Sequence, residues 1–74
     1  MIIKNGFIRK REGEWFNIDY IWFFEVHKQV NEKYCITAHY ISFGHAACFH
    51  LENEYESQEE AQDDLDKAIL FRTN

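Results

Sequence analysis

The sequence predicts an α+β domain: a four-stranded antiparallel sheet, folded as a meander, with one C-terminal α-helix packed on one face. Three observations predict it. Residues 21–51 are rich in aromatic and β-branched residues, interrupted by short polar or glycine-containing breaks. The short breaks favour a meander, in which strands adjacent in sequence pair antiparallel in space. Beyond residue 52 the apolar period lengthens from two to between three and four, as a helix requires. The 74 residues make one domain, with no internal repeat or linker.

Strand segments are expected at about 2–11, 14–17, 21–30, 34–43 and 46–51. Glu12-Gly13 is a plausible two-residue hairpin loop, and Asn5-Gly6 an equally good turn signal, so the start of the first strand stays open between residues 2 and 7. Whether that strand pairs beside strand 21–30 or folds over the open face also stays open. Asn17-Ile18-Asp19-Tyr20 reads as a corner, because Asn and Asp bond their own backbone. Ile21 to Val30 is a long strand, Asn31-Glu32-Lys33 a turn, Tyr34 to Phe43 the next strand, Gly44-His45 a turn and Ala46 to Leu51 the last strand. Ser57 followed by Glu60 has capping-box spacing. Glu59, Glu60, Asp63 and Asp64 then lie early, and Lys67 and Arg72 late, in a helix over about 58–71, which suits its dipole.

Strand parity assigns the faces. Trp22, Phe24, Val26, Lys28 and Val30 share a face with Tyr34, Ile36, Ala38, Tyr40 and Ser42, and with Ala47, Phe49 and Leu51. That face is expected beneath the helix stripe Ala61, Leu65, Ala68 and Ile69. The other face carries Ile21, Phe23, Glu25, His27 and Gln29, then Cys35, Thr37, His39, Ile41 and Phe43, then Cys48 and His50. A turn at Gly44-His45 sets Tyr40 against Phe49, Ala38 against Leu51, His39 against His50 and Ile41 against Cys48. A three-residue turn at 31–33 sets Glu25 beside His39. Trp22 is expected in the core and Trp15 part-exposed.

These placements define the candidate sites. An interface is expected at Phe23, Ile41, Phe43, Cys48, His39 and His50, because an apolar patch without a covering element marks an interaction surface. Leu70 and Phe71, off the helix's core stripe, could join it. Glu25, His39 and His50 form a candidate metal or pH-sensing set, two imidazoles and a carboxylate being a known ligand combination. Glu59, Glu60, Asp63 and Asp64 form an acidic face for a basic partner.

The two cysteines lack metal-knuckle spacing, and Cys35 falls opposite residue 54, so no internal disulfide is expected. No phosphate loop or Ser–His–Asp arrangement is recognisable, and no cofactor is expected. The first eleven residues hold four bases, but residues 52–66 hold eight acids and the net charge is −5, which argues against nucleic acid. The longest large apolar run, Ile21-Trp22-Phe23-Phe24, falls far short of a membrane span, and no signal peptide is visible, so a cytoplasmic protein is expected.

Trp15-Phe16-Asn17, then Ile21, Phe24 and Val26, and the ending Ser57-Gln58-Glu59-Glu60-Ala61-Gln62 with Leu65-Asp66, resemble a broad class of small uncharacterised bacterial and phage proteins. The resemblance implies the sheet-plus-helix fold and no activity. The functional expectation is a non-catalytic interaction module that forms a homodimer, or meets one protein partner, through the uncovered sheet face. One alternative is a phage-type or regulatory inhibitor that binds a host protein, such as a defence nuclease, through its acidic helix. The other is a metal-binding or pH-sensing protein that uses Glu25, His39 and His50.

Overall fold

A computed structural model describes residues 3–73, with side chains described through residue 68. The fold is α+β, but the expected four-stranded sheet is replaced by two three-stranded antiparallel sheets. The first comprises β1 (Ile3–Lys4), β2 (Phe7–Arg9) and β3 (Trp15–Asn17). The second comprises β4 (Ile21–Lys28), β5 (Tyr34–Ser42) and β6 (His45–Tyr55), and α1 (Gln58–Thr73) follows. The expected start of the first strand at residue 2 lies outside the described residues.

The extra hairpin comes from Asn5-Gly6. Both residues have positive φ, 54° and 82°, and Lys4 pairs with Phe7 across them. Left-handed backbone at both positions is what a two-residue hairpin needs, and Asn and Gly adopt it most readily. The segment expected as one strand over 2–11 is therefore two. The next connection is longer than Glu12-Gly13 alone: Arg9 pairs with Trp15, and Lys10 N–H donates to the Glu14 carbonyl at 2.7 Å across the loop. The corner at Asn17 forms as expected, with its Oδ1 accepting from Asp19 N–H at 2.9 Å to cap a short 3-10 turn over Ile18–Tyr20.

Both connections in the second sheet differ from expectation by an even number in register. The β4–β5 loop spans residues 29–33, so Lys28 pairs with Tyr34 and Glu25 with Thr37. The β5–β6 turn is Phe43-Gly44, not Gly44-His45, with φ of 50° and 79°. Ala38 therefore pairs with Phe49, Tyr40 with Ala47, Ile41 with Ala46, His39 with Cys48 and Thr37 with His50. Side chains alternate with period two, so an even slip changes partners and leaves each residue on its face. A bulge in β6 around Leu51–Asn53 then takes up two residues, and Cys35 lies opposite Glu54 as expected.

Parity does fail at one place. The register shifts between Ile21 and Phe23, so Trp22, expected in the core, is 65% exposed while Ile21 packs against the core. Val30, placed on the same face by alternation, lies in the loop and is exposed. Trp15 is part-exposed as expected.

The core consists of Ile8, Ile36, Ala38, Phe49, Leu51, Ala61 and Leu65, with Phe16, Phe24, Val26, Tyr34, Tyr40 and Tyr55 packed around it. One face of the second sheet thus has two covers. The helix contributes Ala61 and Leu65, and the N-terminal sheet contributes Ile8 and Phe16. The Phe16 ring lies 4.8 Å from Tyr40 and 4.9 Å from Phe49, and Lys10 bridges to Leu51. Ser57 Oγ accepts from Glu60 N–H at 3.2 Å, while the Glu60 carboxylate accepts from Glu56 N–H at 3.3 Å. These bonds satisfy donors at the helix start. The roles expected for Ile69, Leu70 and Phe71 concern side chains outside the described residues.

Candidate functional site

The second sheet's other face has no element across it among the described residues, and it divides along the strands. Near the Phe43-Gly44 hairpin it is apolar; near the 29–33 loop it carries histidines and a cysteine.

At the apolar end, Phe43 is 101% exposed, Ile41 55%, and Phe23 is also exposed. An open depression lined by Phe16, Tyr20, Tyr40, Ile41, Ser42 and Phe43 lies at this hairpin's border with the N-terminal sheet, where core-facing Phe16 and Tyr40 reach the surface. Phe43 is a bulky side chain in left-handed backbone, a conformation costing an ordinary L-residue about 1–2 kcal/mol. Its exposure means no burial offsets that cost within the chain.

In the middle of the face, Phe23 stacks on His39 with ring centroids 4.1 Å apart and an interplanar angle of 5°. Glu25 Oε1 lies 3.0 Å from His39 Nε2. The expected Glu25–His39 contact is therefore present, as a diagonal pair instead of a directly opposed one. Cys48 is exposed opposite His39. His50 is not grouped with Glu25 and His39.

His50 belongs instead to a cluster centred on β5. His27 on β4 pairs with Cys35, and His50 on β6 pairs with Thr37. The Cys35 sulfur lies 3.1 Å from His27 Nε2 and 3.8 Å from His50 Nδ1. The Thr37 hydroxyl lies 2.7 Å from the same His27 nitrogen and 3.0 Å from the same His50 nitrogen. The two rings, 5.4 Å apart, stand on either side of the central strand. Cys35 and Thr37 are buried on a face that no other element covers among the described residues, and the imidazoles flank them there. One ring nitrogen from each of His27 and His50 and the Cys35 sulfur lie within 4.8 Å of one another. Partial burial holds the His50 imidazole below its ordinary value of 6.5, with Arg11 and His27 adding to the effect and Glu12 opposing it. A depression lined by His27, Lys28, Gln29, Val30, Asn31 and His50 opens beside the cluster.

Sequence reasoning placed all four of these residues on one face but did not group them, because grouping needs register. The available signal was Phe43-Gly44 as the turn: pairing Ser42 with His45 brings Thr37 opposite His50 at once.

On the acidic helix, Glu59, Glu60 and Asp63 are exposed. Asp64 is half-buried and accepts a hydrogen bond from the Tyr55 hydroxyl. Burial opposes its ionisation, but hydrogen bonds, that from Tyr55 among them, hold its carboxyl below the ordinary value of 3.8. Asp64 thus ties the helix to β6, leaving three of the four expected acids to face outward.

No described helix is long and apolar enough to cross a membrane. No family model, curated protein or solved structure matches the chain.

Proposed function

We propose that this protein is a small non-catalytic interaction module that self-associates through the uncovered face of its second sheet. The observation that carries the reading is Phe43, a fully exposed aromatic held in left-handed backbone at a hairpin tip. Asn or Gly would serve the turn better, and Phe adds nothing to the chain's own core. A large ring at such a position is explained by what it buries against outside the chain, and aromatic residues are enriched among interface anchors. Ile41 and Phe23 extend the patch, while His39 and Glu25 give it a polar border. A second copy of the chain meets this face with the same mixture of aromatic centre and acid–imidazole border, as a two-fold interface requires.

Sedimentation velocity across a concentration series tests the proposal. Wild type is expected to form a dimer, and Phe43→Asp a monomer, because the carboxylate would be desolvated at the interface centre. The same monomeric state in both proteins overturns it.

A further inference from the structure

We propose that His27, Cys35 and His50 form a binding site for a single zinc-class divalent metal ion on the second sheet. This goes beyond the self-association reading and uses the opposite end of the face.

The donor set is chemically appropriate. Zinc takes thiolate and imidazole ligands together, and a site with three protein ligands keeps a fourth position for water. The geometry fits as well. A tetrahedral ion with sulfur at about 2.3 Å and imidazole nitrogens at about 2.0–2.1 Å holds its donors about 3.3–3.6 Å apart. Here the sulfur-to-nitrogen separations are 3.1 and 3.8 Å, on either side of that value, and all three donors lie within 4.8 Å of one another, so side-chain rotation that draws the two imidazoles together completes the set.

The ligands are held by rigid elements. His27 and Cys35 are a cross-strand pair, and Thr37 and His50 are the adjacent pair on the other side of β5. Each imidazole already points its relevant nitrogen inward, toward the Thr37 hydroxyl at 2.7 and 3.0 Å, contacts that the ion replaces when it takes the same nitrogens. A threonine buried between two histidines thus keeps both rings turned toward the sulfur in the metal-free protein, and its one O–H proton can serve only one of the two nitrogens.

Burial also separates metal binding from nucleophilic chemistry. The Cys35 sulfur has no solvent exposure, so an organic substrate cannot reach it along an attack line. An ion needs only the space between three donors, and the depression bounded by His27 and His50 provides its entry. On binding, the Cys35 S–H bond breaks, the proton leaves to solvent, and the sulfur electron pair forms the bond to the metal. Both imidazoles bind neutral through the nitrogens that face the sulfur. No electron changes hands.

Titration with Co2+ as a spectroscopic probe, followed by displacement with Zn2+, tests the site. Wild type is expected to bind one Co2+ per chain, with a thiolate-to-cobalt charge-transfer band and intense tetrahedral visible bands that Zn2+ abolishes. Cys35→Ser should lose the charge-transfer band, and His27→Asn and His50→Asn should each weaken binding by at least about tenfold. Glu25→Gln and Cys48→Ser should bind as wild type does. His50 is exposed, so His50→Asn gives a decisive result even if Cys35→Ser fails to fold by circular dichroism. Absence of the charge-transfer band in wild type, its survival in folded Cys35→Ser, or unchanged affinity in folded His50→Asn each overturns the site. None of these outcomes depends on the oligomeric state.

Discussion

Phe43→Asn is expected to stabilise the monomer while weakening self-association. The backbone at this position has φ of 50°, and the side chain is 101% exposed. A left-handed conformation costs an ordinary L-residue about 1–2 kcal/mol, and Asn, whose short amide bonds locally, recovers much of that. Removing the ring forfeits no burial in the monomer, so the net gain is about 1 kcal/mol. For a domain of this size that corresponds to a rise of about 4–8 °C in Tm. Thermal unfolding followed by circular dichroism, at concentrations below any dimer dissociation constant, measures this term. Sedimentation at high concentration measures the opposing one, where loss of an aromatic anchor should weaken association by at least about tenfold. A fall in the dilute Tm would mean that Phe43 packs within its own chain. A raised Tm with unchanged association would mean that the ring is not an interface anchor. The opposite signs of the two effects distinguish this reasoning from general destabilisation.

Two further predictions concern packing and pH. Trp22→Ser should change stability by no more than about 0.5 kcal/mol, whereas Leu51→Ala, at a side chain only 1% exposed, should cost about 2–5 kcal/mol in urea unfolding. A large loss from Trp22→Ser would contradict the register shift that turns it outward. Acidification should destabilise the fold in two stages. His50 is held below 6.5, so the unfolded chain takes up its proton first. The stabilisation is present above pH 6.5 and is lost as pH falls through the depressed value. Asp64 behaves alike below 3.8. His50→Asn should flatten the first stage of a metal-free stability–pH profile and leave the second, and an unaltered first stage would remove His50 as its source.

The sites were legible in the sequence to the extent that they depend on parity. His27, Cys35, Thr37 and His50 were assigned to one face, as were Phe23, Ile41 and Phe43, because alternation along a strand is local. The grouping of His50 with His27 and Cys35 was not legible. It depends on whether the hairpin turns at Phe43-Gly44 or one residue later, and a bulky Phe in left-handed backbone is a choice that local propensity disfavours. The five-residue 29–33 loop hid its register in the same way. Its ends are joined by Gln29 N–H donating to the Lys33 carbonyl at 2.8 Å, and Glu32 sits at φ of 70° without a glycine to announce it.

The fold shows the same division. Apolar period and helix capping determined that strands precede a helix, and, Trp22 and Val30 excepted, which strand residues face the core, because both follow from backbone geometry repeated every two or 3.6 residues. Only the tertiary structure decided that the N-terminal segment splits at Asn5-Gly6 into a second sheet. It also turned Trp22 outward in favour of Ile21 and brought two histidines to the flanks of a buried cysteine. Those outcomes depend on bulges and turn conformations whose competing forms differ by about 1 kcal/mol locally, so packing across the whole core selects among them.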